Sequence, residues 1–544
     1  MRATMISAGA VGAGAVGAIV LTAVVLAAVA HAQMPGDAGR GKPIYDKRCS
    51  QCHGKTGDGK GPAAHTMYPR PRIFAGNSSY KFRTTPSGEL PTDRDLYDVV
   101  TRGIPGTAMP AFASLPEQAR WDVVAAVKSF NEDFTDPDLL ASVQPLPELA
   151  KPEPVAADAA SIEKGKEIFA ANKCWQCHGH LGRGNGSSWP TLFDNWDKTP
   201  IVPTDFTLAG NFRGGHSAFA VFRTVSTGLT GTPMPDYRSA ISVADRWHLA
   251  NYITSLADAE EPEGGDSTVV AHPFEQPIPG NEDSAFWARQ PTTRFATLAN
   301  VIEAPRLYFC SVQAILLQAA YNQGELVLRV RWNDRSHSTG GQDAQAANTV
   351  YADKDGTIYT QTQHPDQLAI QFPAKRGQGN ERPYFLFGDG KRPTNLWWWR
   401  ADRERFTELN AKGFGSMTLQ SLDSQDVRGE VSYDDGRYTA IVRRRLFTDD
   451  PKRDVQFEQG SFVPIAFSVW DGRRGEIGTR RALTTWHWLH LASPQSLSSY
   501  VAPPVAFLLT LGLLLGLAFW LKRQPRQEPK RKYTVTHPEP SGAQ

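Results

Sequence analysis

At 544 residues the chain is too long for one ordinary hydrophobic core, so several domains are expected. A formal net charge of +2 argues against nucleic acid as a partner. Five cysteines make a poor disulfide framework, and four of them sit in two Cys-x-x-Cys-His strings.

Arg2 precedes an uncharged Ala/Gly/Val-rich run from about Ser7 to Ala30, which closes with Ala30-His31-Ala32. This reads as a secretory signal peptide over 1–32, with cleavage after Ala32. The run is long for a signal core, so an uncleaved anchor is the alternative. Either reading implies export.

Residues 36–132 open with the helix-like GDAGRGKPIYDKR, followed by Cys49-Ser50-Gln51-Cys52-His53 and a glycine-rich loop through Gly59. Gly106-Thr107-Ala108-Met109-Pro110 comes next, and Trp121, Val124, Val127 and Phe130 then mark one face of a closing helix. A Pro/Ala-rich, acidic stretch over 133–160 predicts a semi-extended spacer.

The pattern then repeats over 161–258. SIEKGKEIFAANK leads into Cys174-Trp175-Gln176-Cys177-His178, and Gly231-Thr232-Pro233-Met234-Pro235 follows. Trp247, Ala250, Ile253 and Leu256 recur on the closing helix, and Ser242 with Asp245 predicts its cap. Met109 follows His53 by 56 residues, and Met234 follows His178 by the same interval.

Cys-x-x-Cys-His is the attachment signature of c-type haem, so two covalent haems c are expected. Cys49, Cys52, Cys174 and Cys177 would form the thioethers, with His53 and His178 as proximal iron ligands. Met109 and Met234 are predicted as sixth ligands; a thioether raises the potential and closes the iron to substrates. Met67 lacks a repeat partner and is expected to pack. His65, His180, His216 and His248 lack partners too and are expected at the surface or in structural roles.

With C-x-x-C-H-G-x-x-G-x-G at the start and Met-Pro near the end, 36–132 and 161–258 each resemble a class I cytochrome c domain. The resemblance implies two small all-α domains.

A linker is expected over 259–280. The helical period then disappears: Leu326, Leu328, Val330 and Trp332 alternate with polar neighbours, as do Val463, Ile465, Phe467 and Val469, while Asp435-Gly436 reads as a turn. Residues 281–492 therefore predict an antiparallel β-sandwich. Cys310 there reads as a small buried hydrophobe.

Arg382-Pro-Tyr-Phe-Leu-Phe-Gly-Asp389, Asn395-Leu-Trp-Trp-Trp-Arg-Ala-Asp402, Tyr433-Asp-Asp-Gly-Arg437 and Pro464-Ile-Ala-Phe-Ser-Val-Trp-Asp-Gly472 carry a second resemblance. They are similar to the haem-subunit domain of the ethylbenzene dehydrogenase and dimethyl sulfide dehydrogenase group. The resemblance implies a β-sandwich that can hold a b-type haem between a methionine and a lysine, and that takes electrons from a DMSO reductase superfamily molybdoenzyme. The positions expected to bear those ligands hold Phe387 and Arg481, neither of them an iron ligand, and the domain's methionine is Met417. A third, b-type haem in 281–492 thus stays open.

Pro503 to Leu521 is uncharged and long enough to span a bilayer, which predicts a transmembrane helix over 503–521. Lys522, Arg523, Arg526, Lys530, Arg531 and Lys532 make 522–544 a basic tail, cytoplasmic by the positive-inside rule, and leave the preceding domains periplasmic, at a bacterial inner membrane.

The expected protein is multidomain: a membrane-anchored dihaem cytochrome c that relays electrons and has no catalytic residues of its own. Its partners would be a catalytic oxidoreductase subunit, by resemblance molybdenum-containing as in a nitrite or nitrate oxidoreductase, and a soluble cytochrome, terminal oxidase or quinol-linked complex. A dihaem peroxidase or dehydrogenase, and a redox-linked sensor, are the competing readings.

Overall fold

A computed structural model describes residues 36–76, 80–195, 201–257, 267–299, 310–340, 347–352, 358–375, 377, 381–493 and 497–523. The predicted signal peptide over 1–32 and the predicted tail beyond 523 lie outside the described residues. The chain divides into two compact units, Met1–Ala492 and Ser493–Gln544.

In the first unit, the leading domain is built on helices α1 (Ala38–Arg48), α2 (Asp93–Arg102) and α3 (Glu117–Lys128). The second repeats them as α4 (Ala159–Ala171), α5 (Ala218–Thr227) and α6 (Val243–Ser255). Five of the six starts have a side-chain cap, and α3 instead follows Pro116. Asp37 accepts from Arg40 N, Thr92 and Asp95 form a full capping box, and Ser242 accepts from Asp245 N as its sequence predicts.

The predicted apolar faces turn inward: Trp121, Val124 and Val127 are buried on α3, as are Trp247, Ala250 and Ile253 on α6. The first and last helices of each domain cross in contact. A Cβ on Gly41 would stand 1.9 Å from Asp122 O, and one on Gly165 would stand 2.1 Å from His248 O. Only a hydrogen fits at either crossing.

The stretch 133–160 differs from a free spacer. Short helices form at Pro137–Ser142 and Pro147–Ala150, each with proline in the first turn. Leu146 and Leu149 join the core of the second cytochrome domain, and Leu146 N donates to Thr84 O of the first at 2.9 Å. Two leucines three residues apart share a face, and burying them outweighs the extended preference of the prolines.

The β domain comprises β1 (Thr268–Pro273), β2 (Thr293–Ala296), β3 (Leu298–Ala299), β4 (Ala314–Tyr321), β5 (Glu325–Asn333), β6 (Ala347–Ala352), β7 (Ile358–Gln361), β8 (Gln367–Pro373), β9 (Thr394–Arg400), β10 (Thr407–Ala411), β11 (Thr418–Leu419), β12 (Arg428–Asp434), β13 (Arg437–Arg445), β14 (Phe462–Trp470), β15 (Ala482–Leu483) and β16 (His487–Leu491). The main sheet runs β11-β10-β9-β8-β14-β16-β1-β4-β5-β13-β12.

Strand β14 pairs with β16 through Phe462–Ile465 and with β8 through Ala466–Trp470, so one strand carries the sheet from layer to layer. Trp332 and Tyr438 from one layer meet Trp399 from the other at ring-centroid distances of 6.3 and 5.5 Å. The sheet is mixed rather than purely antiparallel, because β1 runs parallel to both β16 and β4. β1 falls within the predicted linker 259–280. A parallel partner needs a long crossover, and here the rest of the domain is the connection between β1 and β16.

β5 also departs from simple alternation: Val327 and Arg331 are buried along with Leu326, Leu328, Val330 and Trp332. Ile278 and the helix Ser284–Ala288, with Trp287, cover the outer face at Val327. Asp435 and Gly436, at φ +34° and +92°, close the predicted β12–β13 hairpin.

The second unit holds helix α7 (Leu497–Arg523), whose segment Val501–Arg523 has mean hydropathy 2.2. It is long and apolar enough to cross a membrane. It starts six residues before the predicted Pro503, so Pro503 and Pro504 lie inside it.

Candidate haem sites

A single helical turn, Ser50–His53, follows α1. Cys52 N donates to Cys49 O at 3.1 Å and His53 N to the same oxygen at 3.0 Å, which gathers two thiols and one imidazole. Trp175–His178 repeats the turn, with Cys177 N and His178 N bonded to Cys174 O at 3.3 and 3.0 Å. Burial pushes the Cys49 and Cys174 thiols up to about 11.

Each histidine is aimed by its other nitrogen. His53 Nδ1 donates to Arg72 O at 2.9 Å and His178 Nδ1 to Thr204 O at 3.1 Å, so Nε2 keeps its lone pair for a metal. Phe74 stacks on His53 at 4.5 Å and Phe206 on His178 at 4.3 Å. Burial lowers both imidazoles, His178 to about 4, so both are neutral at pH 7.

The methionine loops match bond for bond. Ile104 N donates to Met109 O at 3.1 Å and Leu229 N to Met234 O at 3.0 Å. Thr107 Oγ1 donates to Ile104 O and accepts from Met109 N, while Thr232 Oγ1 does the same with Leu229 O and Met234 N. Gly103 and Gly228, at φ +69° and +62°, let each helix end against its loop. A Cβ on Gly103 would meet Met109 O at 2.7 Å, and one on Gly228 would meet Met234 O at 3.0 Å.

In the first domain Cys49, Cys52, His53 and Met109 line one cavity of about 980 Å³, a volume in the range of cofactor sites. Met67, expected as a packing residue, lines it too. Arg72, Lys81 and Arg213 also reach it, with Asp194 as a counter-charge. Lys81 is lowered by burial and by Arg72, so the cavity suits an anionic guest such as a porphyrin with two propionates. Donor set, volume and charge all fit a haem.

Arg213 and Asp194 belong to the second cytochrome domain, and sequence reading missed both. Lys81 Nζ pairs with Asp194 at 2.8 Å, and Arg102 Nη1 donates to Arg213 O at 3.0 Å. The second domain is seated in turn on the β domain. Arg183 Nη1 donates to Asp434 O and Asp435 O at 2.7 and 2.9 Å, and Asn185 Nδ2 donates to Asp435 Oδ1 at 2.8 Å.

Of the other histidines singled out, His65 is exposed at the surface and lines the first cavity, and three take structural contacts. His248 Nδ1 meets Ser161 Oγ at 2.8 Å, His180 stacks on Trp175 at 4.8 Å, and His216 packs edge-on against Phe212. Cys310 Sγ donates to Val312 O at 2.8 Å, and burial pushes its thiol up to about 12.

Phe387 and Arg481 do come together in the β domain, but as packing. The Arg481 guanidinium lies 4.5 Å from the Phe387 ring centroid and 5.3 Å from that of Trp470, and Nε donates to Ser468 Oγ at 3.0 Å. The adjoining cavity, which Met417 lines, is about 190 Å³. Neither side chain offers iron a lone pair, so this pair does not fit a b-type haem.

Three family models match the chain: cytochrome C oxidase, cbb3-type, subunit III over 36–125, cytochrome c over 162–257, and ethylbenzene dehydrogenase over 284–416. The chlorate reductase subunit gamma of Ideonella dechloratans is 30% identical over 38% of this chain and 76% of its own length. A candidate respiratory nitrate reductase haem subunit of Haloferax mediterranei is 27% identical over 38% of this chain and 67% of its own. The dimethylsulfide dehydrogenase subunit gamma of Rhodovulum sulfidophilum is 25% identical over 36% and 68%. The chain belongs to the family of these gamma subunits, with two cytochrome c domains joined to its ethylbenzene dehydrogenase-like domain.

Proposed function

We propose that the protein is the membrane-anchored, dihaem electron-transfer subunit of an oxidoreductase complex, with its domains on the periplasmic side and its C-terminus in the cytoplasm. The observation that carries this reading is the first cavity, walled partly by Asp194 and Arg213 of the second cytochrome domain. A first haem site closed in part by the second cytochrome domain is placed for relay between the two domains rather than for separate chemistry.

Cys49 and Cys52 would anchor the first haem, with His53 and Met109 on its iron; Cys174, Cys177, His178 and Met234 would serve the second. Each haem supplies one-electron storage. The chain's own residues do the rest. Arg72 O and Thr204 O hold the histidines in one tautomer, while Thr107 and Thr232 hold the methionine loops closed. With Arg481 packed on Phe387, the β domain would hold no third haem and would act as a docking platform.

The partner is a catalytic oxidoreductase subunit, molybdenum-containing as in the nitrite and nitrate oxidoreductases, and the relay connects it to a soluble cytochrome, terminal oxidase or quinol-linked complex. Gentle solubilisation of membranes followed by mass spectrometry should recover a large molybdenum subunit with this chain, and a pyridine haemochrome assay should give two c haems and no b haem per chain. Ready carbon monoxide binding by one ferrous haem of the native protein would favour an enzyme instead.

A further inference from the structure

At the end of the β domain that meets the second cytochrome domain, four carboxylates are buried together. Asp334 follows β5, Asp366 precedes β8, and Asp471 and Glu476 follow β14; each is at most 3% exposed. One carboxylate oxygen from each of Asp334, Asp366 and Asp471 lies within 4.8 Å of the other two. Two oxygens on one calcium ion at ~2.4 Å stand no more than ~4.8 Å apart, so the three are spaced as ligands of a single ion.

Three of the four carboxylates are held in place by donors. Asp366 accepts from Ser338 N at 2.6 Å, Gly472 N at 2.7 Å and Tyr438 OH at 2.7 Å. Asp471 accepts from Arg474 N at 3.2 Å, and Glu476 accepts from Ser311 Oγ at 2.6 Å and Asp471 N at 3.0 Å. Asp334 is the exception. Its Oδ1 accepts from Ser336 N at 3.1 Å, but Oδ2 has no donor, alone among the buried carboxylate oxygens of the described residues. An anionic oxygen buried without a partner calls for a cation.

The nearby arginines do not supply that cation at the right place. Arg335, Arg473 and Arg474 set their charge against Asp471, and Arg335 is shared with Asp334 and Asp205.

We infer that Asp334, Asp366 and Asp471 bind one hard divalent cation, calcium by their all-oxygen donor set, at the seam between the β domain and the second cytochrome domain. The ion would brace the loop after β5. That loop begins at Asn333, which donates to Asp205, and continues to Arg335, whose Nε lies 3.3 Å from where a Cβ on Gly184 would stand.

The full chain, purified with its haems, tests this through elemental analysis, chelation with EGTA and calorimetric titration with CaCl2. Expected are one calcium per chain before chelation, one equivalent rebound after it, weaker binding of MgCl2, and a thermal midpoint higher in CaCl2 than in EGTA. Asp334→Asn should weaken calcium binding at least about tenfold with haem content unchanged. The wild-type measurements stand even if that variant folds poorly. Absence of stoichiometric metal, no heat on titration and a thermal midpoint equal in CaCl2 and EGTA would overturn the site, as would a stoichiometric transition metal.

Discussion

Asn333 Nδ2 donates to Asp205 Oδ2 at 2.6 Å, which ties strand β5 to the loop whose preceding carbonyl, Thr204 O, holds His178. The same amide reaches Thr207 Oγ1 at 3.1 Å, and Arg437 Nε donates to Asn333 Oδ1 at 2.9 Å. A β-domain side chain therefore steadies the loop that orients His178, the proximal ligand of the proposed second haem.

Asn333→Ala removes a donor from a buried carboxylate, which retains Thr207 N and Oγ1 as partners. The loss should be roughly 1.5–3 kcal/mol of stability, read as a lower thermal midpoint. Unscreened negative charge near His178 should also lower the second haem's potential and leave the first in place. A potentiometric titration that finds neither potential moved would uncouple this contact from the iron.

Met109→Ala and Met234→Ala should each lower the potential of one haem and open its iron, because the thioether that favours the ferrous state is gone. Only the altered domain should then bind carbon monoxide in reduced spectra. An unchanged redox titration would remove the methionine from the ligand set.

Gly41→Ala and Gly165→Ala place a methyl group against the backbone of the facing helix, 1.9 Å from Asp122 O and 2.1 Å from His248 O. The helices must move apart, at a cost of about 1–3 kcal/mol. Thermal unfolding should show the loss, with less covalent haem recovered in the altered domain. A neutral result would mean that the crossings carry slack.

The local parts of the sites were legible in the sequence. Cys49, Cys52 and His53 lie on one turn, and the 56-residue interval to Met109 recurs in the second copy. The carbonyls that aim the histidines were missed because Arg72 and Thr204 follow them at different distances, 19 and 26 residues; the signal that marks them is a shared Pro-x-x-Phe, Pro71 to Phe74 and Pro203 to Phe206, whose phenylalanine stacks on the histidine in each copy. Asp194 and Arg213 could not be assigned to the first cavity, because that contact exists only once the two domains pack. Over 133–160 the prolines concealed the pair Leu146 and Leu149, and six residues of β1 were too short to stand out from the linker around them. The acidic trio at 334, 366 and 471 comes from three strand ends that only the folded sandwich brings together.

Asp122 gives the first cytochrome domain a measurable acid sensitivity. Its carboxyl accepts from Arg40 Nε and Nη2, Gln118 Nε2 and Asp37 N, each at 2.9 Å, and with the Arg40 hydrogen bond as chief cause it is lowered to about 2. A carboxyl depressed on folding contributes stability that is complete above its unfolded value of 3.8 and is lost as pH falls through about 2. Arg40 is more than half exposed, so solvent screening reduces the contribution to on the order of 1 kcal/mol. Asp122→Asn should therefore be less stable than the native chain by about that amount at pH 7, and the two should converge as the pH approaches 2. Thermal unfolding followed by circular dichroism across that range checks it, and parallel curves would place the acid sensitivity on other carboxylates.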